Sequence, residues 1–268
     1  MSAKQSCLHI TTFSLDGTSY LAKWLNLGVN HEIAAADARS GSDRYQNNIF
    51  GKRSSMFDFE IELNSSATTT VIASAVNVAT WTAGAMDLVD DWKDFSIAYR
   101  SPVVDGSGGR SRDEYANYVG GCSIEVSGNF LVPLANTSIP ALTAVLSNTA
   151  ADQQLALTIA TGAFSMNLAS MLRTASWTAV PGDLQRFSLG FVGRGAPTNV
   201  TTGIFANILT GTGSDSLLTL AVEDVGGGAY EFVEAAVTEL TITVAEGQVQ
   251  KAVGKLAACA KPTYTPGS

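Results

Sequence analysis

Residues 55–64 read SMFDFEIELN, with Asp58, Glu60 and Glu62 set between Phe57, Phe59, Ile61 and Leu63. In a strand, successive side chains point to opposite faces, so one face is apolar and the other carries three carboxylates. Neighbours on one face lie about 7 Å apart. Like charges at that distance repel by about 0.6 kcal/mol in water, and by more beside a low-dielectric wall. The acidic face must therefore stay wet. Carboxylate oxygens are calcium ligands, but on a regular strand they stand too far apart to close around one ion. A second acidic run, Asp87, Asp90, Asp91 and Asp94, has helix-like spacing. No motif directs it toward the paired-carboxylate chemistry of glycoside hydrolysis, and a solvated face is the simpler expectation. His9 and His31 are the only histidines, and neither falls in a zinc- or iron-ligand spacing. The chain has no phosphate-binding GxxxxGK loop and no GxSxG elbow. Gly226-Gly227-Gly228 is followed by no Lys and reads as a turn. No catalytic residue, metal or cofactor is predicted.

The elements that hold these residues belong to a chain of 268 residues, 46% apolar and only 15% charged. That apolar content supports a sizeable core. The shortage of charge leaves neutral surface suited to burial between subunits. Net charge is −8, and from Gly195 to Gln250 there is no Lys or Arg, which disfavours gripping nucleic acid or an anionic membrane. No window reaches 18 apolar residues, so no helical membrane span is expected. The opening residues lack the apolar run of a signal peptide. Cys7, Cys122 and Cys259 are widely spaced and are expected to be reduced, intracellular and buried. Trp24, Trp81, Trp92 and Trp177 are scattered, which fits core or subunit contact better than a stacking platform.

Strand signals dominate. Leu8–Phe13, Leu25–Ile33, 55–64, Thr68–Val78, Phe95–Arg100, Cys122–Val132, Leu155–Ala160, Phe164–Arg173, Ser176–Val180, Leu184–Val192, Leu217–Val222, Tyr230–Val233, Val237–Val244 and Val249–Leu256 all read as strands. Asp16-Gly17, Pro181-Gly182-Asp183 and Glu246-Gly247 supply turns. Trp81–Phe95 and Ile139–Leu146 are helix candidates, the second capped by Ser138 with Pro140 in its first turn. Residues 36–55 and 101–114 are long polar loops. One internal echo links Val180-Pro-Gly-Asp-Leu-Gln-Arg to Val244-Ala-Glu-Gly-Gln-Val-Gln-Lys. A duplication would divide the chain into tube-like halves at 1–134 and 135–268; the alternative is one continuous domain over 1–268.

The order of these parts resembles the tail tube (major tail) proteins of tailed bacteriophages. LHITTFSLDGTSYLAKWLNLGVN is similar to that family's opening strand, turn and return strand. GSDRYQNNIFGKR stands where the family carries a long inter-ring loop, SMFDFEIELN follows it, a helix sits near the middle, and AAVTELTITVAEGQVQKAVGKL resembles the closing hairpin. The resemblance implies a mainly β, antiparallel sandwich or barrel with one or two short helices, possibly duplicated. It implies a non-enzymatic virion protein, made in the host cytoplasm, whose homo-oligomeric rings stack into a tube that meets other tail proteins. Double-stranded DNA would pass through without specific binding. Rings would hold six single-domain subunits or three duplicated ones. Asp58, Glu60 and Glu62 would face the bore, and Arg39, Asp43, Arg44, Tyr45, Lys52 and Arg53 would lie on the inter-ring loop. Alternatives are a head-decorating protein, a tail terminator, a carbohydrate-binding β-sandwich, or a hydrolase using an unrecognised acid pair.

Overall fold

The computed structural model describes residues 10–37, 48–63, 78–84, 86–105, 117–119, 121–131, 154–161, 164–179, 181–182, 185–200, 208–209 and 217–267. These form a mainly β, antiparallel structure in which Ile208 and Leu209 are the helical residues described. The strands are β1 (Ile10–Leu15), β2 (Thr18–Ser19), β3 (Trp24–Asp37), β4 (Asn48–Glu62), β5 (Val78–Ala83), β6 (Met86–Asp87) and β7 (Trp92–Arg100). They continue as β8 (Val103–Asp105), β9 (Asn117–Val119), β10 (Ser123–Leu131), β11 (Gln154–Thr161) and β12 (Ser165–Thr178). The last are β13 (Arg186–Gly193), β14 (Leu217–Asp224), β15 (Ala229–Ala245), β16 (Lys251–Ala258) and β17 (Thr263–Thr265).

One strand plan occurs twice. In the first set β1 pairs with β2 and β14, β14 with β15, β15 with β16, β16 with β4, and β4 with β3. In the second set β5 pairs with β6 and β11, β11 with β12, β12 with β13, β13 with β10, and β10 with β7. Registers match as well as neighbours. Phe13 opposes Val222 as Trp81 opposes Ile159, and Trp24 opposes Ile61 as Trp92 opposes Phe130. Bulges fall at the same place, between Val237 and Glu239 in β15 and between Leu172 and Thr174 in β12. The amide of Tyr20 donates to the Phe13 carbonyl at 2.8 Å, as that of Leu88 does to the Trp81 carbonyl at 2.8 Å.

The two units are nested, not tandem. The unit of β5–β7 and β10–β13 lies in sequence between β4 and β14 of the other. Residue 134 would therefore separate β10 from β13, its hydrogen-bonded neighbour. We propose that the chain forms one continuous domain rather than halves at 1–134 and 135–268. Each unit rolls its sheet around its own aromatic cluster. Phe13 on β1 meets Phe57 on β4 at 6.1 Å between ring centres, and Phe57 meets Phe232 at 6.2 Å. In the inserted unit Trp81 meets Phe95 at 5.5 Å, Phe130 at 5.4 Å and Phe191 at 6.2 Å. A glycine makes room under each roll: a Cβ on Gly254 would come within 2.3 Å of the Phe59 ring, and one on Gly128 within 2.8 Å of the Phe130 ring.

The units join where β15 pairs with β7. The result is a sheet in the order β3-β4-β16-β15-β7-β10-β13-β12. Because every pairing is antiparallel, β3 and β7 run the same way, so the 38–47 and 106–116 connections leave from one end of this sheet. The turns at 246–248 and 181–182 lie at the other end, with Gly247 (φ 72°) and Gly182 (φ 84°) in left-handed backbone.

Several expectations are corrected. Trp81–Phe95 is parts of three strands, β5, β6 and β7, joined by turns, not a helix: Gly84 turns the chain (φ 60°) and Trp81 and Ala83 alternate inward. The 36–55 loop is shorter than its composition implied, because β3 runs to Asp37 and β4 starts at Asn48. The 101–114 loop contains β8, which pairs with β9. Cys122 is exposed. The 139–146 helix and most of the Thr68–Val78 strand lie outside the described residues.

Trp81 is 0% exposed among three aromatic rings, so its truncation leaves a large cavity. Trp81→Ala is expected to destabilise the protein by about 3–5 kcal/mol, read as a lowered midpoint in denaturant titration.

Candidate functional site: the outward face of the joined sheet

The alternation in SMFDFEIELN is realised. Phe57, Phe59, Ile61 and Leu63 are buried, Asp58 is exposed, and Glu60 and Glu62 are partly exposed on the opposite face. This face is not bare carboxylate. Across the ladder Lys255 stands opposite Asp58 and Lys251 opposite Glu62. The Lys251 ammonium donates diagonally to Glu60 Oε1 at 3.1 Å, and Lys255 Nζ lies 2.8 Å from Glu239 Oε2. The hydrogen bond and charge of Glu239, with Asp58 adding, hold the Lys255 ammonium above the usual lysine range. Two lysines thus spread the repulsion among the carboxylates, and each already has an acceptor.

In the inserted unit the same face is mostly neutral. Ser127 and Asn129 occupy the positions that Asp58 and Glu60 hold in the first unit. Ser96 and Ser127 share a hydroxyl contact of 2.9 Å, Asn129 donates to Asp94 Oδ1 at 2.7 Å, and Ser188 donates to the Asn129 side-chain carbonyl. Arg173 reaches Glu125 at 3.5 Å. Small polar side chains, ion pairs and the exposed Met56 and Val253 therefore share the outside of the joined sheet, and the aromatic cores lie behind it. At the end from which the long connections leave, Ser54, Met56, Arg100, Thr238, Glu239 and Lys255 border a concavity of about 540 Å³.

Lys52 and Arg53 belong to β4 and not to a loop; Arg53 stands opposite Ile33. Arg39, Asp43, Arg44 and Tyr45 lie outside the described residues. His31 Nδ1 is 2.7 Å from the hydroxyl of buried Ser55, and its ring stacks on Tyr230 at 6.1 Å. That contact satisfies a buried hydroxyl, and no carboxylate is seen orienting the ring among the described residues. Among the described residues no cluster of three His, Cys, Asp or Glu side chains is placed to hold a metal, and no helix is long and apolar enough to cross a membrane.

The second acidic run lies on a turn. The Val89 amide donates to Asp87 Oδ1 at 3.2 Å. Burial first, then the charges of Asp90 and Asp87, lift the Asp91 carboxyl above the usual carboxylate range. A raised folded-state pKa means that ionisation favours unfolding, so this cost grows as pH rises through the carboxyl's titration and vanishes in acid. Asp91→Asn is expected to raise Tm at pH 7 by no more than about 2 °C, with the gain disappearing in thermal scans at acidic pH.

No family model matches the chain, and no curated protein matches it. Among solved structures it is similar to a chain from the tail of an empty gene transfer agent particle refined helically with C6 symmetry. That pair is 14% identical with a TM-score of 0.34, over 40% of this chain and 81% of the other. It is also similar to a chain from the virion of a native gene transfer agent particle, at 13% identity and a TM-score of 0.33, over 40% of this chain and 94% of the other.

Proposed function

We propose that this protein is a phage-like virion structural component, a subunit of a tail tube whose rings stack into a conduit for double-stranded DNA. One observation carries the reading: on the outward face of the eight-stranded joined sheet, Lys251 and Lys255 are already paired with the carboxylates of Glu60 and Glu239. DNA carries about one negative charge per 1.7 Å of axis. A wall of free lysines would hold it through many phosphate contacts. Here the ammoniums of Lys251 and Lys255 are engaged by Glu60 and Glu239, so phosphate must displace a carboxylate to gain a contact. The uncompensated acid of Asp58 and Glu62 repels the duplex weakly over about 8 Å at physiological salt. These three β4 carboxylates line the bore in this proposal.

The doubled strand plan favours three chains over six. At about 4.8 Å per strand, eight strands span about 38 Å, and three chains with strands tilted about 40° give a backbone ring about 48 Å across. The long polar connections leave one end of the sheet together, where they meet the next ring or another tail protein.

Electron microscopy of the purified full-length protein is expected to show long hollow tubes; particles that remain single chains at every concentration would end the proposal. A variant combining Glu60→Gln and Glu239→Gln releases both lysines. Its tubes are expected to bind duplex DNA with an affinity that falls steeply with salt, while wild-type tubes do not. Equal retention by both would show that lysine pairing does not govern passage.

A further inference from the structure

The joint between the two units has a counterpart that this chain leaves open. Within the chain, the second half of β15 is flanked by β16 on one edge and β7 on the other. Its equivalent, the second half of β12, is flanked by β13, and its other edge is unpaired among the described residues. The equivalent of β7 is β3. It pairs with β4, and its second edge is likewise unpaired among the described residues. The two open edges stand at opposite ends of the joined sheet.

Exposure marks the same places. In the closed joint Ile242 opposes Ile97, and they are 0% and 1% exposed. Through the matched registers, Ile242 corresponds to Trp177 and Ile97 to Val29. Trp177 is 53% exposed and Val29 38% exposed, with Leu25 at 42% and Ile33 at 48% on the same side of β3. Both open edges are apolar on the core side and polar on the outward side, where Ser176 and Thr178 lie on β12 and Asn26 and Asn30 on β3.

We infer that β3 of one copy pairs with the second half of β12 of the next copy, repeating between chains the β15–β7 joint found within each chain. The internal joint fixes the register. Thr174 faces Glu32, Ser176 faces Asn30, Trp177 faces Val29 and Thr178 faces Gly28 of the neighbour, as Glu239, Thr241, Ile242 and Thr243 face Arg100, Ala98, Ile97 and Ser96 within the chain. The partner is a second copy because this chain itself carries both edges, β3 and the second half of β12, in the registers that β7 and β15 use in the internal joint. The contact is heterologous, so repetition closes a ring or runs on as a helix. Directly opposed side chains sit about 5 Å apart across such a ladder, and the free edges are hidden by pairing. The inference rests on the self-assembly in the proposed function, not on the passage of DNA.

Site-directed cross-linking tests it. Val29→Cys and Trp177→Cys are combined in a background with Cys7, Cys122 and Cys259 all replaced by Ser and oxidised mildly after assembly. The expected result is a ladder of covalent multimers on a non-reducing gel that collapses on reduction, whereas each single variant stays at one chain length. Both side chains are exposed, so circular dichroism should match wild type. Ile33→Cys with Trp177→Cys, four residues out of register, is expected to give no ladder. If tubes form but the 29/177 pair stays monomeric, or if the 33/177 pair cross-links equally well, the inference fails while the tube reading stands. If the 29/177 ladder forms and no tubes are ever seen, the junction stands and the tube reading fails.

Discussion

The ladder between β15 and β7 is the contact on which the rest of the architecture depends. It sets two copies of one strand plan side by side, so that their outward faces become a single surface. Ile97, Ile242, Phe95 and Val244 are buried beneath it, and on the other side Ser96, Ala98, Thr241 and Thr243 are small. Apolar burial of that kind contributes about 25 cal/mol per Å². A register slip of one residue would turn every one of these side chains to the wrong face. The ladder therefore fixes position as well as holding the units together.

The repeat preserves geometry more strictly than composition. Phe59 lies over Gly254 in one unit, and Gly128 stands opposite Leu189 in the other, so each cross-strand pair keeps one glycine but on different strands. Close-packed interiors conserve volume across a contact more than the identity of either partner. Charge diverged further. The row that is Asp58 and Glu60 in one unit is Ser127 and Asn129 in the other, because a wet face constrains polarity but not charge. Such divergence leaves little residue-by-residue likeness between units.

Much of this was legible in the sequence where alternation is strict. The alternation over 55–63 appears as written, the 122–132 and 184–192 readings are realised as β10 (Ser123–Leu131) and β13 (Arg186–Gly193), and the echo between 180–186 and 244–251 falls on the equivalent hairpins β12–β13 and β15–β16. Phe13 and Trp24 stand eleven residues apart, as do Trp81 and Trp92; that spacing was the stronger sign of the repeat. β12 and β15 each read as two strands because a bulge interrupts the alternation in both. Trp81–Phe95 read as a helix because Met86, Val89 and Lys93, and Leu88 and Trp92, recur at helical spacing across its turns. The ends of β3 and β4 read as loop because the 36–55 stretch is rich in polar residues and glycine, yet there the two strands pair with each other. For the candidate site, the wet face of β4 was legible, but the lysines crossing it were not, since they arrive from almost 200 residues further along the chain.

The nested order of the units has a consequence for how the polypeptide acquires its structure. β1 finds its partner in β14 and β4 finds its partner in β16, so the N-terminal strands emerge from the ribosome long before the strands that complete them. The inserted unit is contiguous and its contacts are closer in sequence, and low sequence separation favours early folding. During synthesis, which runs at about 5–20 residues per second, β1–β4 wait with apolar faces uncovered while the unit behind them is made. β14 and β16 close the first strands, which ties completion of the fold to the arrival of the β15–β16 hairpin.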